Sequence, residues 1–244
     1  MSGTWTYGRN NYDFQEGTLV FTKPNQSLKI ENQEYLKGSS GWTLIFHPDL
    51  IRKSELGKKI TQYSFFSYEV NEALHLSNEE QQSITEIVEK VQKEYSQNID
   101  RHSQELIVSN IKLVLDYCTR YYDRQFYTRS NLNQDLVVKF ENLLQDYFNS
   151  SKPLELGVPT VKYCGAELNM SGHYLSDMLK KETGRSAHDH IHFYVIDQAK
   201  TRLLGSDDSI SKIAYDLGFE YPNHFSKLFK SKTGMSPGQY RSVG

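Results

Sequence analysis

Two cysteines in 244 residues, Cys118 and Cys164, are too few and too far apart to staple a fold with disulfides. Both fall in segments of helical pattern and read as core thiols of a reducing compartment. Long hydrophobic runs are missing as well: no apolar stretch approaches the ~20 residues that cross a bilayer, which excludes a membrane-spanning helix. The opening MSGTWTYGRNNYDF holds neither a basic segment followed by an apolar stretch nor a small-residue cleavage site. The expectation is a cytoplasmic protein without an export signal. A dominant charge is lacking too, since 28 Lys and Arg face 30 Asp and Glu for a net −2. The balance is uneven along the chain. From residue 152 onward 12 basic residues meet 10 acidic ones, leaving 16 against 20 before it, and 5 of the 8 histidines lie in that C-terminal part. This tilt permits a polyanionic partner without requiring one.

Residues 1–75 contain short β-branched and aromatic runs bounded by Gly, Pro, Asn and Lys: GTLVFTKP (17–24), QSLKIENQ (26–33), GWTLIFHP (41–48) and QYSFFSYEV (62–70). Their composition predicts strands. Too few of them are present to close a barrel, so an edge needs cover from helices or from a second subunit. Past residue 75 the period changes. Ser77 with an acidic first turn opens a helix carrying Ile84, Ile87, Val88 and Val91 at helical spacing. The segment 101–124 aligns Leu106, Ile107, Ile111, Val114, Leu115 and Cys118, and 133–149 aligns Leu136, Phe140, Leu143, Leu144 and Tyr147. NSSKPLELGVP (149–159) reads as a linker. The resulting division is a β region at 1–75, a helical segment at 76–150 and a helical domain at 151–244.

The last 80 or so residues contain one unit twice. CGAELNMSGHYLSDMLKKETGRS (164–186) repeats as IAYDLGFEYPNHFSKLFKSKTGMS (213–236): Leu168 matches Leu217, while Leu175, Leu179, Thr183, Gly184 and Ser186 match Phe225, Phe229, Thr233, Gly234 and Ser236 after a one-residue insertion. In the second copy Ile210, Ile213, Ala214 and Leu217 form one helical face. Gly218 permits the left-handed turn, Phe219 plugs the corner, and Pro222 suits the first turn of the next helix. Two helices joined by a short Gly-containing turn make a helix-turn-helix. With Phe225, Leu228 and Phe229 turned inward, Asn223, Ser226, Lys227 and Lys230 face out, with Pro222 and His224 at the helix start. In the first copy Leu175, Met178 and Leu179 turn inward, and Gly172, His173, Ser176 and Asp177 face out ahead of Lys180 and Lys181. Asn can bond adenine through two hydrogen bonds, and Lys can reach guanine or phosphate, when such a helix enters a major groove.

Through YLSDMLKKETG, AKTRLL and ISKIAYDLGFEYPNHFSKLFKSKTGMSPGQYR, residues 161–241 resemble the DNA-binding domain of the AraC family of bacterial transcription regulators. The resemblance implies two helix-turn-helix lobes joined by a long helix, here 190–204 with Ile191, Val195, Ala199 and Leu203, and recognition helices entering adjacent major grooves. It places DNA contacts on His173, Ser176 and Asp177 in one lobe and on Pro222, Asn223, His224 and Lys227 in the other. Gly172, Lys180 and Lys230 complete the candidate DNA-binding set. Asp177 stands where many members carry a basic or amide residue, and it could only accept, for example from a cytosine amino group. Gly165 replaces the Ala214 of the second copy, a change that lowers helix propensity by about 1 kcal/mol. GTLVFTKPNQ, GWTLIFHPDLI, FFSYEVNEALHLS and RYYDRQFYTR resemble the sensor and dimerising helices of the same family. They imply an α+β chain: a partial cupin-like β sensor region, a helical dimerisation segment and an all-α double helix-turn-helix domain. The implied partners are double-stranded DNA, RNA polymerase, a second copy of the chain and a small-molecule effector whose binding residues are unassigned. Trp42, Phe46 and Phe65 read either as sheet core or as the lining of an effector pocket.

Other chemistries are weaker. HDHIH sets His188 and His192 four apart, a metal-capable spacing, but no Cys or acidic partner with ligand spacing accompanies them. FHPD offers His47 and Asp49 without the closely spaced histidine pair of a cupin metalloenzyme. No metal, cofactor or enzymatic activity is expected. The alternative is a cupin-like small-molecule-binding protein or metalloenzyme whose helical tail mediates protein contacts. With few cations per lobe, affinity must come from joining two lobes in one chain, from helix N-termini and from dimerisation.

Overall fold

The computed structural model describes residues 3–7, 10–14, 17–24, 26, 40–97, 100–128 and 130–243, with backbone alone at 3–14, 70 and 130–134. The chain divides into compact units, Met1–Arg129 and Ser130–Gly244. In the first, β1 (Gly3–Tyr7) pairs antiparallel with β2 (Asn10–Phe14), and β3 (Thr18–Leu19) pairs antiparallel with β4 (Leu74–His75). Two short helices, α1 (Pro48–Ile51) and α2 (Glu55–Lys59), precede α3 (Asn78–Ser96) and α4 (Ser103–Thr128), which pack along each other.

The start of α3 follows from its sequence. Ser77 Oγ accepts from the Glu80 N–H at 3.3 Å, and the Glu80 carboxylate accepts from the Ser77 N–H at 3.0 Å, a reciprocal capping box. Ile84, Ile87 and Val91 are buried against α4. On α4 the buried set is Val108, Ile111, Val114, Leu115, Cys118, Tyr121, Tyr122, Gln125 and Phe126. Leu106, expected on that stripe, stands 49% exposed instead.

A barrel is absent from the described residues of this unit. The expected strand at 17–24 shortens to β3, residues 41–47 run without sheet pairing, and 62–69 form 3₁₀ turns. The expected strand at 26–33 lies outside the described residues except for Gln26. The aromatic residues that suggested strands are spent on α4. Phe65 stacks on Tyr122 at 5.5 Å, Phe21 lies 4.4 Å from Phe65, and Tyr68 meets Tyr122 edge-on at 5.2 Å. Gln125 satisfies the strand edge that a barrel would have paired: its amide donates to the Ala73 carbonyl at 3.2 Å and accepts from the His75 N–H at 2.9 Å.

The second unit is all helical: α5 (Ser130–Phe148), α6 (Lys152–Leu156), α7 (Val161–Glu167), α8 (Gly172–Thr183), α9 (Ala187–Gly205), α10 (Ile210–Asp216), α11 (Pro222–Thr233) and α12 (Pro237–Val243). It begins before the expected linker. Helix α5, assigned from sequence to the dimerising segment, packs on α8, and its Phe140, Leu144 and Tyr147 are buried in this unit. The expected linker is itself folded: it contains α6, with Pro153 and Pro159 buried. Cys118 and Cys164 are fully buried within their own units, and burial pushes both thiols up to about 12.

Candidate nucleic-acid interface

Both helix pairs close on the same turn. After α7 the Met170 N–H donates to the Gly165 carbonyl at 2.9 Å, and after α10 the Phe219 N–H donates to the Ala214 carbonyl at 3.0 Å. These are the long-range bonds of a Schellman turn. The left-handed residue is Asn169 (φ 58°) in the first copy and Gly218 (φ 90°) in the second, the types that tolerate this conformation best. The close approach of turn to helix explains Gly165: a Cβ there would meet the Met170 carbonyl oxygen at 2.7 Å. Gly165 is thus required by the four-residue turn at 168–171. The longer turn at 217–221 accommodates the fully buried Ala214.

In the first lobe Leu175, Met178 and Leu179 are completely buried, and Ser171 caps α8 by accepting from the Tyr174 N–H at 3.1 Å. His173 and Lys180 are exposed on α8, and Asp177 is half-buried. Two expected outward residues are occupied within the lobe. Gly172 lies against α7, where a Cβ would meet the Val161 carbonyl oxygen at 3.1 Å. Ser176 Oγ accepts from the Ala187 N–H at 3.4 Å, at the start of α9.

In the second lobe Phe225 and Phe229 are fully buried, Phe219 packs edge-on against Phe225 at 5.4 Å, and Tyr240 closes on Phe229 at 5.4 Å. Asn223, His224, Lys227 and Lys230 are exposed on α11, and Pro222 at its start is half-buried. His224 rests on the Tyr221 ring at 5.4 Å. Helix α11 starts on Pro222 without a side-chain cap, unlike α8.

Helix α9 joins the lobes and is buried along Ile191, Val195, Ile196, Ala199 and Leu203. It begins at Ala187, earlier than its apolar period alone indicates, because Ser186 Oγ accepts from the Asp189 N–H at 3.2 Å and donates to the Asp189 carboxylate at 2.8 Å. The Ser-x-x-Asp spacing is the signal that sequence reading passed over. Asp189 also holds Lys232 at 3.1 Å, so this lysine of the last turn of α11 is tied to α9. The serine hydroxyl and Lys232 hold the Asp189 carboxyl below the usual range. The rings of His188 and His192 are 3.9 Å apart. Among the described residues no third His, Cys or carboxylate joins them in a group able to hold a metal. Burial lowers the pKa of His192, and the nearby His188 and Lys232 lower it further. His47, the other metal candidate, caps α1 by accepting from the Asp49 N–H at 3.2 Å.

The glycine of the second turn is enclosed. The Val158 N–H donates to the Gly218 carbonyl at 3.2 Å, and a Cβ on Gly218 would fall 2.6 Å from the Gly157 carbonyl carbon. Tyr147 on α5 donates to the Gly157 carbonyl at 2.8 Å. One path therefore runs from α5 through residue 157 to the turn that sets α11.

Residues 164–242 match the helix-turn-helix domain family. Over 192 residues the chain is 23% identical to the uncharacterized HTH-type transcriptional regulator YijO of Escherichia coli (strain K12), covering 79% of this chain and 64% of that protein. It is 30% identical over 142 residues to the uncharacterized HTH-type transcriptional regulator YfiF of Bacillus subtilis (strain 168), covering 58% and 41%. It is 37% identical over 67 residues to the HTH-type transcriptional activator RhaS of Escherichia fergusonii, covering 28% and 24%. The chain spans less than two thirds of the length of each of these relatives.

Proposed function

Because the chain belongs to the AraC family of transcription regulators through its C-terminal domain, we propose that it reads double-stranded DNA with α8 and α11 in successive major grooves. The observation that carries this reading is the division of α11, with Phe225 and Phe229 fully buried and Asn223, His224, Lys227 and Lys230 exposed on its other side. Exposed amide, imidazole and ammonium groups at the start of a helix suit base edges and phosphates. The N-terminus of α11, which starts on Pro222 without a side-chain cap, turns the positive end of the helix dipole toward a phosphate. In the first lobe His173, Asp177 and Lys180 form the reading set, while Gly172 and Ser176 place α8.

A second copy of the chain is proposed to dock along α4, where Leu106 and Leu113, seven residues apart, are 49% and 43% exposed. Joining two double-lobed chains raises affinity without a strongly basic surface. Family membership extends the reading to RNA polymerase and to a cytoplasmic setting. It also suggests a small-molecule effector, for which the cleft of about 340 Å³ lined by Glu79, Tyr117, Arg120, Tyr121 and Arg124 suits a polar ligand. The test of the DNA reading is enrichment of a random double-stranded library on the purified chain, followed by gel shift on the selected sequence. A reproducible motif with two half-sites on one face of the duplex is expected. Selection of no motif at any salt concentration would overturn it.

A further inference from the structure

Helix α9 has 19 residues, about 28 Å at ~1.5 Å per residue, shorter than the ~34 Å turn of DNA that separates successive major grooves. The angle at which each lobe leaves α9 therefore decides which half-site spacing both recognition helices can reach. At the start of α9 a cluster links the two lobes. Phe193 carries the guanidinium of Arg185, from the α8–α9 turn, 4.4 Å from its ring centroid, and the ammonium of Lys232, from the last turn of α11, at 4.8 Å. Asp189, one turn before Phe193, pairs with the same Lys232 at 3.1 Å. The Lys232 side chain is only 24% exposed, so the pair is partly withdrawn from solvent. At the other end of α9, Arg241 of α12 donates to the Leu203 carbonyl at 3.1 Å and to the Asp208 carbonyl at 2.6 Å. The second lobe is thus pinned to α9 at both ends. The first lobe meets α9 at Ser176 and through Thr183, whose hydroxyl lies 2.7 Å from His190 Nε2.

We propose that Asp189 and Phe193 are positioning residues that fix α11 against α9 through Lys232, and so select the spacing between DNA half-sites without reading any base. This rests on the DNA-binding reading above. It separates Lys232 from Lys227 and Lys230: Lys232 sets geometry, while the other two remain available to the duplex. Removing the clamp leaves the reading faces of α8 and α11 unchanged and widens the range of their mutual settings.

The experiment compares the full chain with Asp189→Asn, Phe193→Leu and the double variant, using Phe193→Tyr as the conservative control that keeps the ring. Binding is measured by gel shift on the selected motif with its half-sites moved apart or together one base pair at a time. The wild type and Phe193→Tyr should show a sharp optimum. The double variant should retain the base preferences of each half-site but lose roughly tenfold of its discrimination between the best spacing and its neighbours. A second measurement needs no DNA. Spin labels on α8 at residue 180 and on α11 at residue 230 should give a broader distance distribution in the double variant than in the wild type, with thermal unfolding checking that both are folded. An unchanged distance distribution in a folded double variant would overturn the clamp, as would an unchanged spacing profile. Failure of the wild type to select any motif would count against the DNA reading alone and leave the distance measurement to decide the clamp.

Discussion

At the residue scale, the two lobes separate exposed side chains, proposed above to read DNA, from side chains that hold the fold. Asn223 and Lys227 are exposed at the start of α11 and have nothing to do with its core. Replacing either with Ala should weaken binding to the selected site by about 1 to 3 kcal/mol, checked by gel-shift titration, with thermal stability unchanged. Lys230, lying farther along α11, should act mainly on phosphate. Lys230→Ala should weaken binding evenly across sequences and lower the slope of log affinity against log salt by about 1. Gly218 lies at the opposite extreme. It combines a φ of 90° with the Gly157 carbonyl carbon 2.6 Å from where a Cβ would stand. Gly218→Ala should destabilise the C-terminal unit by about 1 to 3 kcal/mol in urea unfolding, through strain and overpacking together. Gly165 illustrates a limit of residue propensity. Its weak helix-forming tendency is visible in sequence, but the collision that a methyl group would cause is a property of the folded turn.

At the scale of elements, α5 is the piece whose role changes most on folding. Its period of Phe140, Leu144 and Tyr147 is plain in the sequence, and an amphipathic helix buries that face against some partner. Which partner it finds is not written in the period. The partner is the helix-turn-helix unit: Phe140 meets His190 edge-on at 5.9 Å, Phe148 stacks on Tyr194 at 5.3 Å, and Tyr147 reaches the Gly157 carbonyl. A fragment 130–244 should therefore unfold cooperatively. A fragment 151–244, with α8 uncovered, should melt at lower temperature and bind a hydrophobic dye more strongly, which paired thermal scans would reveal. The aromatic runs at 62–70 make the same point in the first unit. Period and composition suit a strand, but Phe65 and Tyr68 pack on Tyr122 of α4 instead, a partner the local pattern does not specify.

For the molecule as a whole, acid should loosen the C-terminal unit. Burial lowers the pKa of His190 and of His192 from the ordinary 6.5. Above that value both residues are neutral in the folded and the unfolded chain, and the stability they permit is fully present. As pH falls below it, the unfolded chain takes up protons first, so stability declines progressively as pH drops through the lowered folded pKa. Unfolding midpoints measured from pH 7.5 down to pH 5 should fall, and His190→Asn should flatten part of that decline. The net charge of −2 also means that binding cannot rest on a general field around the protein. It has to rest on a few placed cations, which makes the geometry between lobes as consequential as the side chains themselves.

Local patterns determined much of this protein before any folding was seen. The duplicated helix-turn-helix, the buried stripe Ile191, Val195, Ala199 and Leu203, the cap at Ser77 and the exposed set on α11 all depend on residues within a few turns of one another, where spacing alone dictates which side faces inward. Tertiary structure decided the rest. The pairing of Lys232 with Asp189, the enclosure of Gly218 by residue 157, the recruitment of α5 to the helix-turn-helix unit and the turning of the 62–69 aromatics toward α4 join residues distant in sequence. The physical reason is that burial rewards any apolar partner of the right shape, while a charge drawn out of water needs an opposite charge beside it, and which partner arrives depends on the path of the whole chain.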